Sequence, residues 1–471
     1  MQQYNDVPSN LRVGGGAQAS SVDPIVMVIA LIAGVLIFLL PRKRVIVPLM
    51  LVVFLTPFGE QFYLAGVHLF LPRILILVGW LRVWTRRASR ERSASDELNS
   101  IDKAFLAWAV ISVSSTILLF LDVPAIVNQA GFILDAVGGY FLLRRLIQDE
   151  EDVLLVVKTF AVIVSVLAVT MSVERLFGRN LFGYLGGRMV PTVRDGVIRS
   201  QGTLAGPISA GTFAATLFCL FAWLWKSGKA KVLACAGGIG SAVMVVTSAS
   251  STPLLASVAS VLAICMWPLR GKMRTLRWGI VIVLICIHLV MKAPVWFLIN
   301  RVDLVAGSSG YHRAILIDQC VRHFSDWWLI GIKSTANWGW DLWDQANQFV
   351  GVAENAGLAA LMFFILMISR SFGRLGTARR HAVDTDRKKE WFLWFLGGAL
   401  FSHVVGFFGI SYMDQTTMSW YLLLVFISAA TAPTLATSVL PEEDVNLRNA
   451  VSPIGYASPL IFESARNRST N

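Results

Sequence analysis

Eleven of the 41 lysines and arginines fall before the first apolar run or in two of the stretches between runs, 174–206 and 292–347, and nine of the eleven are arginine. One is Arg12; Arg175, Arg179, Arg188, Arg194 and Arg199 lie between positions 174 and 206; Lys292, Arg301, Arg313, Arg322 and Lys333 lie between 292 and 347. A guanidinium is planar and can hold two phosphate oxygens at once, so this group suits the binding of a phosphate or another anion. Loop solvation or contact with anionic headgroups is the competing use. The 292–347 stretch also carries NWGWDLWDQANQF, where Trp338, Trp340 and Trp343 stand beside Asp341, Asp344 and Asn347. Indole faces beside carboxylates offer a sugar ring both stacking and hydrogen bonds. An interfacial aromatic belt has the same composition.

Other candidates are fewer. Asp135 stands in an apolar run, where a carboxylate should face the interior and find a cation; Arg73 and Lys158 are the candidates. His288 and His403 read as helix-packing or hydrogen-bonding residues. Asp384-Thr385-Asp386 matches a metal-chelating DxD pattern, but in a basic loop with no room for a nucleotide-binding domain it reads as solvated. P-loop, GxSxG and HExxH patterns are absent, which removes the basic parts of an ATPase, that type of serine hydrolase and a zincin. Cys219, Cys235, Cys265, Cys286 and Cys320 form no CxxC pair, so neither a disulfide framework nor a zinc site is implied. No metal or other cofactor is expected.

The elements that must position these residues follow from composition. Of 471 residues, 55% are apolar and 15% charged, with a mean hydropathy of +0.64. That excludes an ordinary soluble protein, which carries roughly 25% charged residues. Apolar runs lie at about 24–40, 45–57, 67–84, 104–121, 129–143, 153–173, 207–225, 231–248, 252–269, 278–291, 348–369, 391–410 and 416–433. The expectation is an all-α integral membrane protein of 12–13 transmembrane helices, with the second run the weakest. Residues 1–23 read as a polar tail without a removable signal peptide, 24–291 as about ten spans, 292–347 as a long loop, 348–433 as the last three spans and 434–471 as a C-terminal tail. Strict alternation from an outer N-terminus places 25 of the 41 lysines and arginines in inner loops, with 3 more in the tail. This is the positive-inside pattern, and it puts the 174–206 and 292–347 loops outside. The net charge of +12 is therefore a matter of sidedness and does not point to nucleic acid. Within the long loop, Ala314, Ile317, Val321, Phe324 and Trp328 recur at helical steps, which predicts an amphipathic helix over 311–329 with Arg313, Asp318, Arg322 and Asp326 off its apolar stripe.

Two stretches resemble the O-antigen ligase/polymerase family of bacterial polysaccharide assembly. The first, RSQGTLAGPISAGTFAATLFCL, has an arginine, a glycine three residues later and a proline eight residues after the arginine: Arg199, Gly202 and Pro207. The second begins at Arg301 and Arg313, passes through LIGIKS and ends in ANQFVGVAENAGLAALMFF. Family members have a His-Asn pair there, followed eleven residues after the histidine by Gly-Leu; Asn347, Gly357 and Leu358 keep that register. Ala346 stands where the histidine is expected, and Glu354 is one place earlier than the family's acidic residue. The resemblance covers about 160 residues, Arg199 through Leu358.

The resemblance implies a multi-pass glycosyltransferase of GT-C-like architecture at the outer face of the bacterial inner membrane. Its donor would be a glycan on undecaprenyl pyrophosphate, its surroundings membrane lipids, and its partners a chain-length regulator and a flippase of the same pathway. Arg199, Arg313, Arg301, Arg194 and Arg73 would hold the pyrophosphate, and Trp338, Trp340 and Trp343 the glycan. Asp344, Asn347 and His323 would serve catalysis. With Ala346 in the histidine's place the base is open among Asp344, His323, His312 and Glu354, with Asp344 preferred. A polymerase is preferred over a ligase that transfers glycan to lipid A core, partly because the histidine is absent. A secondary transporter is the alternative of another class, though the sequence shows no internal repeat.

Overall fold

The computed structural model describes residues 20–64, 67–86, 97–301, 310–339, 342, 346–383 and 385–437. Arg12, Trp340, Asp341, Trp343, Asp344, Asp384 and the tail from 438 lie outside the described residues. The described chain is predominantly helical: α1 (Pro24–Leu39), α2 (Arg42–Leu55), α3 (Leu71–Thr85), α4 (Ser100–Phe120), α5 (Val123–Ile133), α6 (Gly139–Leu146), α7 (Glu150–Phe177), α8 (Pro207–Ser227), α9 (Lys231–Thr247), α10 (Ser251–Cys265), α11 (Met273–Val290), α12 (Leu298–Arg301), α13 (Gly310–Arg322), α14 (Phe324–Trp327), α15 (Gln348–Ala382), α16 (Arg387–Phe407) and α17 (Asp414–Thr437). Two short antiparallel hairpins interrupt them, β1 (Gln61–Leu64) with β2 (Val67–Phe70) and β3 (Thr192–Arg194) with β4 (Val197–Arg199). Among the described residues seven helical stretches are long and apolar enough to cross a membrane, against the 12–13 expected from the sequence, and three shorter apolar helices accompany them. The chain is thus a multi-pass, all-α membrane protein.

Local chemistry sets the helix ends. Asn99 and Asp102 form a capping box at α4, Asp149 caps α7, and Asp386 caps α16, each satisfying N–H groups that no helix can satisfy itself. Pro207 opens α8, where its missing N–H costs nothing. Leu121 takes a left-handed conformation (φ 54°), which lets α4 turn into α5 within two residues.

Three boundaries differ from the sequence reading. The run expected at 67–84 starts as strand β2, and its helix begins only at Leu71, at the proline. The run expected at 129–143 is a longer span, Val123–Leu146, with a π-helical segment Leu134–Gly138 joining α5 to α6. The amphipathic helix expected over 311–329 breaks at His323 into α13 and α14. Its buried face is also different: Arg313, Ala314, Leu316, Asp318, Cys320 and Trp327 are buried, whereas Val321, Phe324 and Trp328 are exposed. The break redirects the chain, so Trp327 turns inward and its indole donates to the Cys320 carbonyl (2.7 Å). Leu316, Cys320, Trp327, Trp338 and Leu342 then pack on Val350 and Ala353 as a small core separate from that of the bundle.

Ion pairs occur toward both ends of the bundle, and several join different helices. At one end cations meet acids: Arg42 with Asp152 (2.8 Å), Lys43 with Glu151 (2.9 Å), Arg144 with Asp102 (2.8 Å), and Arg270 and Arg379 with Glu390 (2.9 and 3.3 Å). The other end carries both hairpins, the α9–α10 turn, the start of α15 and the α16–α17 connection. That is the end with Arg199.

Candidate functional site

Arg199 ends β4 and is 9% exposed. Its Nη2 donates to Ser250 Oγ and its Nε to the Ser248 carbonyl (3.4 Å), both in the turn between α9 and α10. Among the described residues no carboxylate forms an ion pair with it. Burial, aided by the like charge of Arg194 across the hairpin, pulls its pKa below the ordinary value. A buried cation held only by neutral oxygens is costly unless an anion joins it. At the opposite end Arg144 and Arg379 have acids beside them, whereas Arg82, also buried, is held by the Leu40 carbonyl.

The rest of the first motif has a physical reason. Glu174, fully buried near the end of α7, accepts the N–H groups of Gln201 (3.2 Å) and Gly202 (3.0 Å). Gly202 turns its N–H toward that carboxylate by adopting φ +61°, with Met171 and Leu167 close to where a Cβ would stand. Arg199, Gly202 and Pro207 are therefore the end of a strand, a turn folded onto Glu174, and a helix start. Sequence reasoning missed Glu174 and the buried Ser248–Thr252 turn; a glutamate just past an apolar run and the string TSASST were the signals available.

The second motif is built around a break. Asn347 is fully buried and caps α15: its Oδ1 accepts from Phe349 N (2.9 Å) and Val350 N (3.2 Å), and its Nδ2 donates to the Phe408 carbonyl (3.5 Å). Its side chain is thus taken up in holding helix ends together. Ten residues on, Gly357 leaves helical geometry (φ 80°, ψ −178°). The chain at 328–332 fills the gap, with Ile332 N donating to the Glu354 carbonyl (2.7 Å) and Leu358 N to the Trp328 carbonyl (2.8 Å). The glycine of LIGIKS, Gly331, sits at φ +89°, and a Cβ there would press on the Glu354 carbonyl, so the position suits glycine on both counts. The two motif segments communicate through 408–415, since Ser411 donates to the Asn347 carbonyl (3.1 Å) and Gln415 to the Thr203 carbonyl (3.3 Å).

The remaining residues fall in several places. Arg73 makes a bidentate pair with Asp135 (2.7–3.0 Å) and donates to the His68 carbonyl (2.7 Å), so the partner expected for Asp135 is Arg73 and not Lys158. Arg313 is buried on the first turns of α13. Arg301 is in α12, and Arg194 is exposed, 4.0 Å from Asp195. His323 stacks flat on Trp338 (5.2 Å between centroids, 8°) and lies 3.5 Å from Asp326. Trp338 is buried in the small core, so as placed here it is a packing residue rather than an open sugar platform. Burial and the Glu354 charge push the Cys320 thiol up to about 12, which leaves no thiolate nucleophile there at neutral pH. His403 bonds Tyr412 Oη (2.9 Å), in keeping with a hydrogen-bonding role.

Compared with known proteins, the chain matches no family model, and no curated protein matches it significantly.

Proposed function

We propose that this protein is a membrane glycosyltransferase that polymerises undecaprenyl-pyrophosphate-linked oligosaccharides, of exopolysaccharide or O-antigen type, at the outer face of the bacterial inner membrane. The observation that carries the reading is Arg199, a buried guanidinium held by Ser248 and Ser250 with no carboxylate partner among the described residues. Breaking the anomeric C–O bond leaves a pyrophosphate whose growing charge needs fixed cations, and preorganised arginines supply them. Arg313, from the other motif, is the second candidate for this clamp. The acceptor hydroxyl needs a base within about 3 Å, and Asp344 keeps first place for that role. The ligase remains the runner-up within the same chemistry. A secondary transporter gains support from the broken helix at Gly357 and the Arg73–Asp135 pair in the bundle, both features of transport folds.

Purified protein incubated with an undecaprenyl-pyrophosphate-linked oligosaccharide separates these readings. A polymerase lengthens the glycan and releases undecaprenyl pyrophosphate; a transporter leaves the donor intact. Arg199→Lys and Arg313→Lys should both abolish long chains despite conserving charge, while Arg188→Lys, on the exposed loop, should be tolerated. Wild-type chain lengths from both motif variants at normal membrane levels would remove the clamp.

A further inference from the structure

Beside Arg199 the bundle holds an unusual number of buried polar atoms with nothing to bond. Ser200 Oγ, Gln201 Oε1, Thr212 Oγ1, Ser251 Oγ and Gln415 Oε1 are closed off from solvent, and none has a hydrogen-bond partner among the described residues. They sit on four segments that touch one another. Ser200 N donates to the Thr247 carbonyl (3.0 Å), joining the first motif to the α9–α10 turn. A Cβ on Gly211, next to Thr212, would lie 2.4 Å from Ser248 Oγ, and one on Gly406 would lie 3.1 Å from the Thr212 methyl. Thr252 Oγ1 donates to the Gly409 carbonyl (3.3 Å), and Gln415 reaches Thr203. The two amides are oriented by their other ends: Gln201 Nε2 donates to the Leu204 carbonyl (3.3 Å), and Gln415 Nε2 to the Thr56 and Thr203 carbonyls (3.2 and 3.3 Å). Their Oε1 atoms are therefore the ones left over.

Orphaned polar groups in a closed interior pay desolvation with no return, so this seam favours an arrangement in which something bonds them. The set comprises three hydroxyls, which donate or accept, and two amide oxygens, which only accept. Phosphate oxygens would be repelled by the two acceptors, whereas sugar hydroxyls suit all five. We propose that the seam is a sugar subsite, closed in this structure, which opens to take the pyrophosphate-proximal sugar of the donor while Arg199 holds the phosphate. This rests on the lipid-linked donor argued above.

The test compares binding of undecaprenyl pyrophosphate and of undecaprenyl-pyrophosphate-linked N-acetylglucosamine to purified wild type, Thr212→Val, Ser251→Ala and Arg199→Lys. Wild type should bind the sugar-bearing lipid more tightly. Thr212→Val and Ser251→Ala, which remove a hydroxyl and little volume, should each weaken only that lipid, by roughly fivefold. Their melting temperatures should hold or rise, because an orphaned hydroxyl has been removed; a purely structural hydroxyl would lower them. Arg199→Lys should weaken both lipids. If it does so while the two hydroxyl variants keep wild-type affinity, or weaken both lipids alike, the subsite is overturned and the clamp stands. If Arg199→Lys changes neither lipid, the donor reading fails and the subsite with it.

Discussion

Gly357→Ala should detach the 310–342 segment from the bundle. The glycine sits at φ 80°, ψ −178°, a region open essentially to glycine alone, and an added Cβ would lie 2.5 Å from the Leu329 carbonyl oxygen and 2.8 Å from its carbon. Forcing an L-residue into such backbone costs about 1–3 kcal/mol. Relieving the clash pushes away the 328–332 chain, with the Ile332–Glu354 and Leu358–Trp328 hydrogen bonds, each worth about 0.5–1.5 kcal/mol. The sum, about 2–6 kcal/mol, falls on the junction that holds α13 and α14 against α15. Limited proteolysis should therefore cut between 310 and 339 far faster in the variant than in wild type, with the bundle intact. Gly373→Ala is the control: its Cβ meets nothing within 4 Å in the same helix, and alanine there should be neutral or stabilise by up to about 1 kcal/mol. Identical cleavage rates for Gly357→Ala and wild type, at equal melting temperature, would refute the reasoning that the junction depends on this glycine.

Three further outcomes are expected. Asp344→Asn should still bind lipid-linked donor but slow transfer by roughly 10²–10⁴-fold, and near-normal polymer would move the base to His323, His312 or Glu354. Reporter fusions should place residues 85–100 and 371–390 in the cytoplasm and 300–340 outside; alkaline phosphatase activity near Thr385, or its absence near Ser308, would reverse the topology. Glu60, in the connection between α2 and β1, has its carboxyl pKa raised by burial, against the opposing bond from Asp23 N. The folded protein thus holds that proton longer than the unfolded chain, so this contribution to stability is full below about pH 4.5 and declines as pH rises through the raised value. Glu60→Gln should flatten that decline in thermal melts taken from pH 4 to 7, and an unchanged slope would count against the burial effect.

Much of this architecture is legible in the sequence because it is local. Each apolar run meets a helix, since a span must satisfy its own backbone hydrogen bonds wherever it lies. Asn99, Asp149 and Pro207 mark helix starts by chemistry confined to one turn. The spacing of Arg199, Gly202 and Pro207 is local too, and corresponds to a strand end, a left-handed turn and a helix start. What only the tertiary structure decided is which groups have partners. Arg73 and Asp135 lie 62 residues apart, and their pairing leaves Arg73 less free to meet an anion than its type suggests. Arg199 looks like its neighbours in the 174–206 loop, yet it alone is drawn onto the Ser248–Ser250 turn, 49 and 51 residues away. The stripe read over 311–329 failed for the same reason: periodicity says that a helix has a face to bury, but the break at His323 and the surface offered by α15 choose which face. Burial and charge pairing belong to contacts between distant segments, and no window of sequence contains both members of such a contact.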